Sequence, residues 1–302
     1  MTRRQVTKMS VGRFLRKCVT DYPAAVRSAK LVARDYYGRW YWRRRYEPLA
    51  YHLPTGGVLL LEPGHAFTGC FWPDVDRYEP EVCAFLRRVL KPGATFIDCG
   101  ANVGYFSVQA GDLVGQSGTV VSIEANPDTY KLLDRNLRAN NFGTAIHCAL
   151  TSQGEEVELF VPGSWDVYSS LRAASIVEGV PDHSYKVRAR KLDEVVEELG
   201  LGRVDLVKID VEGGELDVLN SATKLLAKFR PFIVMEYGSN TWSAFDATPE
   251  SLKLLARETG YAINLFHPQE QKLVRATDDV WGQAYINLIL TPEERAEGYA
   301  AQ

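Results

Sequence analysis

Acidic residues follow several short apolar segments of the chain, at positions where the strands of a parallel sheet would end. They are Asp98, Glu124, Asp210 and Glu236. Because the carboxyl ends of parallel strands meet at one edge of a sheet, where open α/β folds bind ligands, we expect these side chains to lie near one another. Carboxylates suit a ligand that is cationic or rich in hydroxyl groups, whereas a polyphosphate requires backbone amides and basic side chains.

The stretch FIDCGANVGYFS, residues 96–107, places small residues at the end of the first of these segments. Gly100, Asn102 and Gly104 let the backbone approach a ligand, although glycines at this spacing also serve a tight turn and close helix packing. The stretch lacks the G-x-G-x-x-G spacing of dinucleotide sites, and the chain has no G-x-x-x-x-G-K-[ST] loop. These features favour a cofactor other than a dinucleotide or a nucleoside triphosphate.

Glu124 lies twenty residues after Gly104, at the end of the second predicted strand. A carboxylate at this place offers two acceptor oxygens to the vicinal hydroxyls of a ribose, and the alternative is a solvated strand-end carboxylate. S-Adenosylmethionine combines a ribose with a zwitterionic amino acid and a sulfonium cation. It is therefore the cofactor that the turn and the surrounding carboxylates favour.

The segment KIDVEGGE, residues 208–215, brings further charged groups to the same edge. Lys208 and Asp210 share a strand face, and an ion pair between them is expected because unpaired buried charges are costly. Asp210 is our first candidate for positioning the cofactor or the acceptor, and Glu212 for a general base or an acceptor contact. Their oxygens could instead bind magnesium or calcium. Two carboxylates at this spacing are not a metal signature, so we assign no metal ligand.

From about residue 85 onward, short β-branched segments alternate with helical patterns, which predicts an α/β fold with a doubly wound, mostly parallel sheet. Two alternating segments, EEVELFV and SYKVRAR, interrupt this order and predict an antiparallel pair or edge strands between the third and fourth parallel strands. The last two strands lack a helical pattern between them and are expected to be antiparallel. The predicted strands are 95–99, 119–124, 145–149, 205–210, 231–237, 261–267 and 284–290. The predicted helices lie near 104–114, 127–139, 191–199, 213–228 and 249–259.

Charge is distributed unevenly along the chain. Residues 1–47 contain 13 Lys or Arg and three Asp or Glu, whereas the remainder contains 22 and 35. Apolar residues at helical spacing in this basic segment predict an N-terminal helical extension, which packs on the acidic body or contacts an anionic membrane surface peripherally. No nucleic-acid recognition motif is visible, so nucleic acid is not an expected partner. We divide the chain into residues 1–84, a basic extension and acceptor-side cap, and residues 85–302, the catalytic domain.

The expected compartment is the cytoplasm, with peripheral membrane contact as the alternative that the basic segment allows. No apolar run approaches the roughly 20 residues that span a bilayer, and no secretory h-region follows the basic N-terminus. The five cysteines include no C-x-x-C pair, so they indicate neither a disulfide framework nor a zinc site.

Five segments of the chain together resemble the FkbM-type family of class I S-adenosylmethionine-dependent methyltransferases. They follow the family's order between about residues 95 and 290: FIDCGANVGYFSV, VVSIEANPDTYKLLDRNLRANN, HCALTSQGEEVELFV, RKLDEVVEELGLGRVDLVKIDVEGGELDVLNSATKLL and RPFIVMEY. The resemblance implies a seven-stranded Rossmann-like sheet with the last strand antiparallel, and methyl transfer to a hydroxyl oxygen of a sugar or natural product. One departure is EANP in place of the usual EPNP. Ala125 in place of proline makes this loop less rigid but removes no contact.

The resemblance also assigns roles to residues. The residues that it implies bind the cofactor are Asp98, Gly100, Asn102, Gly104, Glu124, Asn126, Ala149 and Asp210, with Leu150 also beside the adenine. The candidate catalytic residues are Asp210, Glu212 and His183. His183 would be a base delivered by the inserted loop, and its alternative reading is an exposed loop histidine.

The acceptor is expected to be a small molecule or a glycan. A hydroxyl is a poor nucleophile near neutral pH, so general-base help is expected, and aromatic-rich residues 48–90 and 163–185 are expected to shape the acceptor pocket. Two other function classes stay open. A NAD-type oxidoreductase would use Glu124 but should show dinucleotide glycine spacing, and a noncatalytic membrane-associated adaptor would keep the cofactor fold as a relic.

Overall fold

A computed structural model describes residues 47–65, 67–68, 78–162, 169–173, 181 and 183–295 of the chain. Most of the basic segment, and parts of both regions expected to shape the acceptor pocket, lie outside these residues, and the predictions made for them stay predictions. The chain divides into two compact units, Met1–Leu49 with Leu61–Tyr78 and Ala50–Leu60 with Glu79–Gln302. In the first unit, the rings of Phe67 and Tyr78 meet edge to face with centroids 5.7 Å apart.

The second unit carries a large sheet, a small three-stranded sheet and most of a two-stranded hairpin. The strands, in chain order, are β1 (Leu49–His52), β2 (Val58–Leu61), β3 (Thr95–Cys99), β4 (Thr119–Glu124), β5 (Thr144–His147), β6 (Ala149–Leu150), β7 (Glu156–Val161), β8 (His183–Arg190), β9 (Leu206–Ile209), β10 (Phe232–Gly238), β11 (Tyr261–His267), β12 (Lys272–Arg275) and β13 (Tyr285–Pro292). The α-helices are α1 (Pro80–Val89), α2 (Tyr105–Val114), α3 (Pro127–Ala139), α4 (Leu192–Glu198), α5 (Glu215–Asn220), α6 (Thr223–Phe229), α7 (Ser239–Ser243) and α8 (Pro249–Thr259). Within the described ranges, no helix has the length and apolar composition needed to cross a bilayer.

The large sheet has eight strands in the spatial order β12-β11-β13-β10-β9-β3-β4-β5. Strands β10, β9, β3, β4 and β5 are parallel neighbours, and β13 is inserted antiparallel between β10 and β11. All seven predicted strands are present, so the predicted Rossmann-like sheet with an antiparallel last strand is confirmed. β12 is an additional edge strand that pairs antiparallel with β11. The predicted domain boundary between residues 84 and 85 stays a prediction, and α1 continues across it.

One predicted helix, 213–228, is two helices in the structure, α5 and α6. The carboxylate of Asp193, on α4, accepts the backbone N–H groups of Lys224 at 2.9 Å and Leu225 at 2.8 Å. The first N–H groups of a helix have no acceptor within the helix, and Asp193 supplies one. This favours the start of a separate helix, α6, at this point. The sequence pattern could not show this because the capping side chain lies about thirty residues earlier in the chain.

The predicted strand 145–149 divides at Cys148. β5 stays in the large sheet, whereas β6 joins a separate sheet in the order β6-β8-β7. The predicted antiparallel pair is confirmed as β7 and β8, whose register runs from Glu156 opposite Arg188 to Val161 opposite His183. The insertion therefore forms its own sheet instead of widening the large one.

The elements that precede the candidate site are fixed by burial and capping. All five residues of β3 are buried, as expected for a central parallel strand covered by helices on both faces. α3 begins as predicted: Pro127 occupies its first turn, and Asn126 Oδ1 accepts the N–H of Asp128 at 3.0 Å and of Thr129 at 3.4 Å. The end of the loop that enters α3 is thereby fixed.

The hairpin of β1 and β2 is held by the side chains of Asp112, in α2, and Asn140, which directly follows α3. Asp112 Oδ2 accepts the N–H of Gly57 at 2.7 Å. Asn140 accepts the N–H of Val58 through Oδ1 and donates through Nδ2 to its carbonyl, both at 2.8 Å. These contacts satisfy hydrogen-bonding groups on a strand edge that would otherwise need water or another strand.

Gly100, in the predicted cofactor turn, has a φ of +78°, and a Cβ added there would lie 1.8 Å from the carbonyl oxygen of Asp210. Gly100→Ala is therefore expected to lower the free energy of unfolding by at least about 3 kcal/mol, or to prevent folding. Thermal unfolding followed by circular dichroism measures the effect. Gly202→Ala is the matched control, because a Cβ added there meets nothing within 4 Å. Equal stability of the two variants would contradict the requirement for glycine at this contact.

Candidate active site

The carboxyl edge of four neighbouring strands carries the acidic residues that the sequence pattern brought together. Asp98 lies in β3, Glu124 ends β4, Asp210 directly follows β9, and Glu236 lies near the end of β10. These strands are adjacent in the order β10-β9-β3-β4. The expectation that the four residues share one edge is therefore confirmed.

Glu124 joins the cofactor turn to the loop that precedes α3. Its Oε2 accepts the backbone N–H of Asn102 at 2.9 Å, and its Oε1 accepts the N–H of Asn126 at 2.8 Å. Asn102 is in the left-handed region, with a φ of 51°, and its own Oδ1 accepts the N–H of Val103 at 2.8 Å. Carboxylate oxygens are also acceptors of the kind that the hydroxyls of a ribose require.

Asp98 is completely buried. Its Oδ2 accepts the hydroxyl of Ser107 at 2.6 Å, and the Ser107 Oγ accepts the hydroxyl of Ser122 at 2.8 Å. Its Oδ1 has no hydrogen-bond partner among the described residues. Burial raises the pKa of Asp98, although the nearby Lys208 and the Ser107 hydroxyl oppose this effect. Asp98 therefore supports the turn from the interior and has one oxygen to offer.

Lys208 is a buried cation between two carboxylates. Its side chain is 3% exposed, and its Nζ contacts Asp210 Oδ2 at 2.8 Å, which confirms the expected ion pair. It lies opposite Asp98 in the β3–β9 register, and its Nζ is 4.8 Å from the centroid of the Phe106 ring. Burial disfavours its charge, but Asp210 and Asp98 hold the pKa of the ammonium above its ordinary value. Lys208 thereby fixes the orientation of Asp210.

Three carboxylates meet beside this ion pair. One oxygen each of Asp210, Glu212 and Glu236 lies within 4.8 Å of the others, and all three side chains are half-buried. Burial, followed by the charges of Asp210 and Glu212, raises the pKa of Glu236 well above its ordinary value. Either a proton or a divalent cation could relieve the repulsion, because oxygen ligands suit magnesium and calcium.

Glu215 fixes the loop that carries Glu212. It is 1% exposed, and its Oε1 accepts the backbone N–H groups of Val211 at 2.9 Å and Gly213 at 3.0 Å. Glu212, between these two residues, has a left-handed φ of 58°. Sequence reasoning did not single out Glu215, although an acidic residue in the first turn of a helix after two glycines is a capping signal. Burial raises its pKa to about 7.

Glu215→Gln is expected to change how stability depends on pH. The pKa of Glu215 in the folded protein lies above the ordinary value of 4.5, so its protonated form favours folding. This contribution is complete below about pH 4.5 and is lost as the pH rises through about 7. Relative to the wild type, the variant should therefore gain stability between pH 5 and pH 8, by up to about 3 kcal/mol.

Urea unfolding at the two pH values measures this gain. Glu258→Gln, on the exposed side of α8, is the control that should keep the wild-type pH dependence. If Glu215→Gln and the wild type change equally between pH 5 and pH 8, burial does not hold a proton on Glu215.

A family model described as the methyltransferase FkbM domain matches residues 98–263, more than half of the chain. The chain belongs to the FkbM methyltransferase family. The match confirms the resemblance inferred from the sequence and, with it, S-adenosylmethionine as the cofactor.

Two known proteins and one solved structure match parts of the chain. The AMB antimetabolite synthetase AmbE of Pseudomonas aeruginosa is 27% identical over 228 residues, which cover 63% of this chain and 10% of AmbE. The hexuronic acid methyltransferase AglP of Haloferax volcanii is 27% identical over 161 residues, 53% of this chain and 62% of AglP. A crystal structure of methyltransferase FkbM from Methylobacillus flagellatus aligns with a TM-score of 0.40 and 14% identity, covering 69% of this chain and 50% of that one. The chain thus spans less than two thirds of AmbE and AglP.

The donor set of this FkbM chain fits S-adenosylmethionine. Glu124 offers carboxylate oxygens, which are acceptors suited to a ribose diol, and the carboxylates of Asp210, Glu212 and Glu236 suit a sulfonium cation. The unpartnered Oδ1 of Asp98 is a further buried acceptor on the same edge. No lysine or arginine lies in the turn 100–104, which agrees with a cofactor that has no phosphate.

Asn126, Ala149 and His183 are the remaining predicted residues, and they differ in exposure. Asn126 and Ala149 are each 2% exposed, and Asn126 Nδ2 donates to Ser169 Oγ at 3.1 Å. His183 is exposed at the start of β8, where its ring meets that of Tyr185 at a centroid distance of 5.1 Å. Among the described contacts of His183, none is to Asp210 or Glu212. This position agrees with the alternative interpretation, in which His183 is an exposed histidine without a catalytic role.

Proposed function

We propose that this chain is an S-adenosylmethionine-dependent O-methyltransferase that acts on a hydroxyl of a sugar, glycan or natural-product acceptor. The observation that carries the proposal is the group of three carboxylates, Asp210, Glu212 and Glu236, beside a turn suited to this cofactor. The turn and the segment that carries Asp210 are close together, because the backbone carbonyl of Asp210 packs against Gly100. The name of AglP, a hexuronic acid methyltransferase, agrees with a sugar as the acceptor.

Each residue has a defined task in this proposal. The bound cofactor supplies an electrophilic methyl group on its sulfonium. Glu124 binds the ribose and sets the spacing of the two loops it joins. Asp210, oriented by Lys208, positions the reacting groups, since alignment supplies much of the acceleration in such a displacement.

Glu212 accepts the proton of the acceptor hydroxyl in our assignment. Its carboxylate has an oxygen within 4.8 Å of those of Asp210 and Glu236, and a carboxylate held within hydrogen-bond reach of a hydroxyl can take its proton and so assist a weak nucleophile. The other candidate base, His183, has its described contacts with Tyr185 and not with these carboxylates. We therefore assign general-base catalysis to the carboxylates.

Calorimetric titration and a transfer assay together test the proposed function. The protein should bind S-adenosylmethionine and its demethylated product but not NAD, and it should add one methyl mass to hydroxyl-bearing acceptors in a panel read by mass spectrometry. Binding of NAD instead would favour an oxidoreductase. Binding of neither would contradict the cofactor, and transfer only to nitrogen or carbon would contradict the O-methyl assignment.

The basic residues 1–46 lie outside the described part of the chain. Their peripheral contact with an anionic membrane surface, and the absence of a nucleic-acid partner, therefore stay proposals drawn from charge and motif content.

A further inference from the structure

A cavity of about 480 Å³ opens beside the loop that carries Glu212. We call it the α5 cavity. One side is formed by the start of α5 and the glycines before it, and the other by β7 and the turn after α7. Its lining includes Gly213, Phe160, Phe245, Asp246, Asp217 and Ala247. Its volume lies in the range of small-molecule sites, roughly 300–1,000 Å³.

The wall of the α5 cavity is bonded to the candidate catalytic loop. Ser170 donates its hydroxyl to the carbonyl of Glu212 at 3.0 Å, and its backbone pairs with that of Phe160, a lining residue, at 2.8 and 3.0 Å. Gly213 has a φ of +113°, and a Cβ added there would lie 2.8 Å from the Phe245 ring. The ring thus packs directly on Gly213, so an occupant of the cavity would contact the loop that carries the proposed base.

The lining combines apolar surface with carboxylates. Phe160, Phe245 and their aliphatic neighbours offer flat apolar surface, while Glu158, Asp217 and Asp246 contribute three carboxylates. Arg172 is the one basic side chain among the described lining residues, and its Cζ is 5.7 Å from the Phe245 centroid. The formal charge of the described lining is therefore negative.

The carboxylates differ in how far they are engaged. Asp217 accepts the hydroxyl of Thr151 at 2.5 Å and the N–H of Ser152 at 3.1 Å, so it is part of the framework. The side chain of Asp246 is exposed and has no described partner. Asp246 is thus the lining carboxylate most available to an occupant.

We propose that the α5 cavity binds the methyl acceptor, and that this acceptor is an uncharged glycosyl unit. A sugar ring presents an apolar C–H face that matches an aromatic ring, and a rim of hydroxyl donors that matches carboxylate acceptors. An acceptor bearing a phosphate or a carboxylate would meet like charges, which disfavour binding. The inference rests on the proposed function and narrows its acceptor class, in contrast to the hexuronic acid in the name of AglP.

Two variants and a matched control test the inference. Ala247→Trp fills the cavity and should lower kcat/KM for a neutral methyl glycoside at least about tenfold, with cofactor affinity unchanged. Asp246→Asn removes the available charge and suits the left-handed φ of 57° at this position. It should reduce the preference for the neutral glycoside over the matching hexuronide at least about fivefold. Glu258→Gln, on the exposed side of α8, should change neither quantity.

Binding is also read without turnover, by saturation-transfer NMR of the two glycosides in the presence of the demethylated cofactor. The wild type should give the stronger signal with the neutral glycoside, and Ala247→Trp should abolish it. A preference for the hexuronide, or unchanged glycoside binding and kcat/KM in Ala247→Trp, would overturn the inference while cofactor binding and methyl transfer stand. Failure of the proposed function is distinguishable, because calorimetry would then show no binding of S-adenosylmethionine to the wild type.

Discussion

A Glu124→Ala variant is expected to bind S-adenosylmethionine at least about 100-fold more weakly than the wild type. Each hydrogen bond from a ribose hydroxyl to a carboxylate is worth about 1.5–3 kcal/mol, so losing two of them costs about 3 kcal/mol or more. The substitution also releases the backbone N–H groups of Asn102 and Asn126, in the two loops that Glu124 joins. Isothermal titration calorimetry with the cofactor and its demethylated product measures the loss.

Two further variants separate ribose binding from loop support. Glu124→Gln keeps one acceptor oxygen, but its NH2 group cannot accept the second of the two backbone N–H groups that the carboxylate binds. It should therefore show an intermediate loss of affinity for the cofactor. Glu258→Ala removes an exposed carboxylate from α8 and should leave the affinity unchanged. Affinity within about threefold of the wild type in Glu124→Ala would contradict the assignment of this residue to the ribose.

Asp210→Asn should have the largest effect on turnover. We expect the rate of methyl transfer at saturating cofactor to fall at least about 100-fold, because a charge placed in a water-poor site contributes strongly to the transition state. The affinity for S-adenosylmethionine should change less than in Glu124→Ala. The variant should also lose about 1–3 kcal/mol of stability, since Lys208 loses its closest anion while it stays buried. Single-turnover assays, calorimetry and thermal unfolding measure the three quantities.

Asp205→Asn is the matched control for this variant. Asp205 lies before β9, at the opposite end of the strand from Asp210, and it also forms an ion pair, with Arg203 Nε at 2.6 Å. Its substitution should reduce stability without slowing methyl transfer. Turnover that is unchanged in Asp210→Asn, with the fold intact, would contradict the role assigned to Asp210.

The alternation of strands and helices, and the edge that collects the carboxylates, could be predicted because both depend on local patterns. The seven predicted strands and the cap of α3 by Asn126 follow from burial periodicity and start signals that lie within a few residues. The ion pair of Lys208 with Asp210 followed equally from their spacing on one strand.

Other features depend on partners that are distant in sequence. The division of 213–228 into α5 and α6 depends on Asp193, and the division at Cys148 depends on pairing of β6 with β8. Glu215 is not part of a recognisable sequence motif. Its burial against the loop that carries Glu212 depends on how α5 packs in the folded protein. Likewise, the α5 cavity arises between segments that no spacing rule relates.

The two loops that Glu124 joins have a consequence for cofactor recognition. Since both of its oxygens are engaged by backbone N–H groups, the carboxylate is oriented by the fold itself, and the conformational entropy of ordering this side chain is spent during folding. In the proposed function, the ribose therefore meets a preorganised acceptor, and less of its interaction energy is lost to rearrangement. Under this assignment, the interactions that stabilise the turn also prepare it to recognise the nucleoside half of the cofactor.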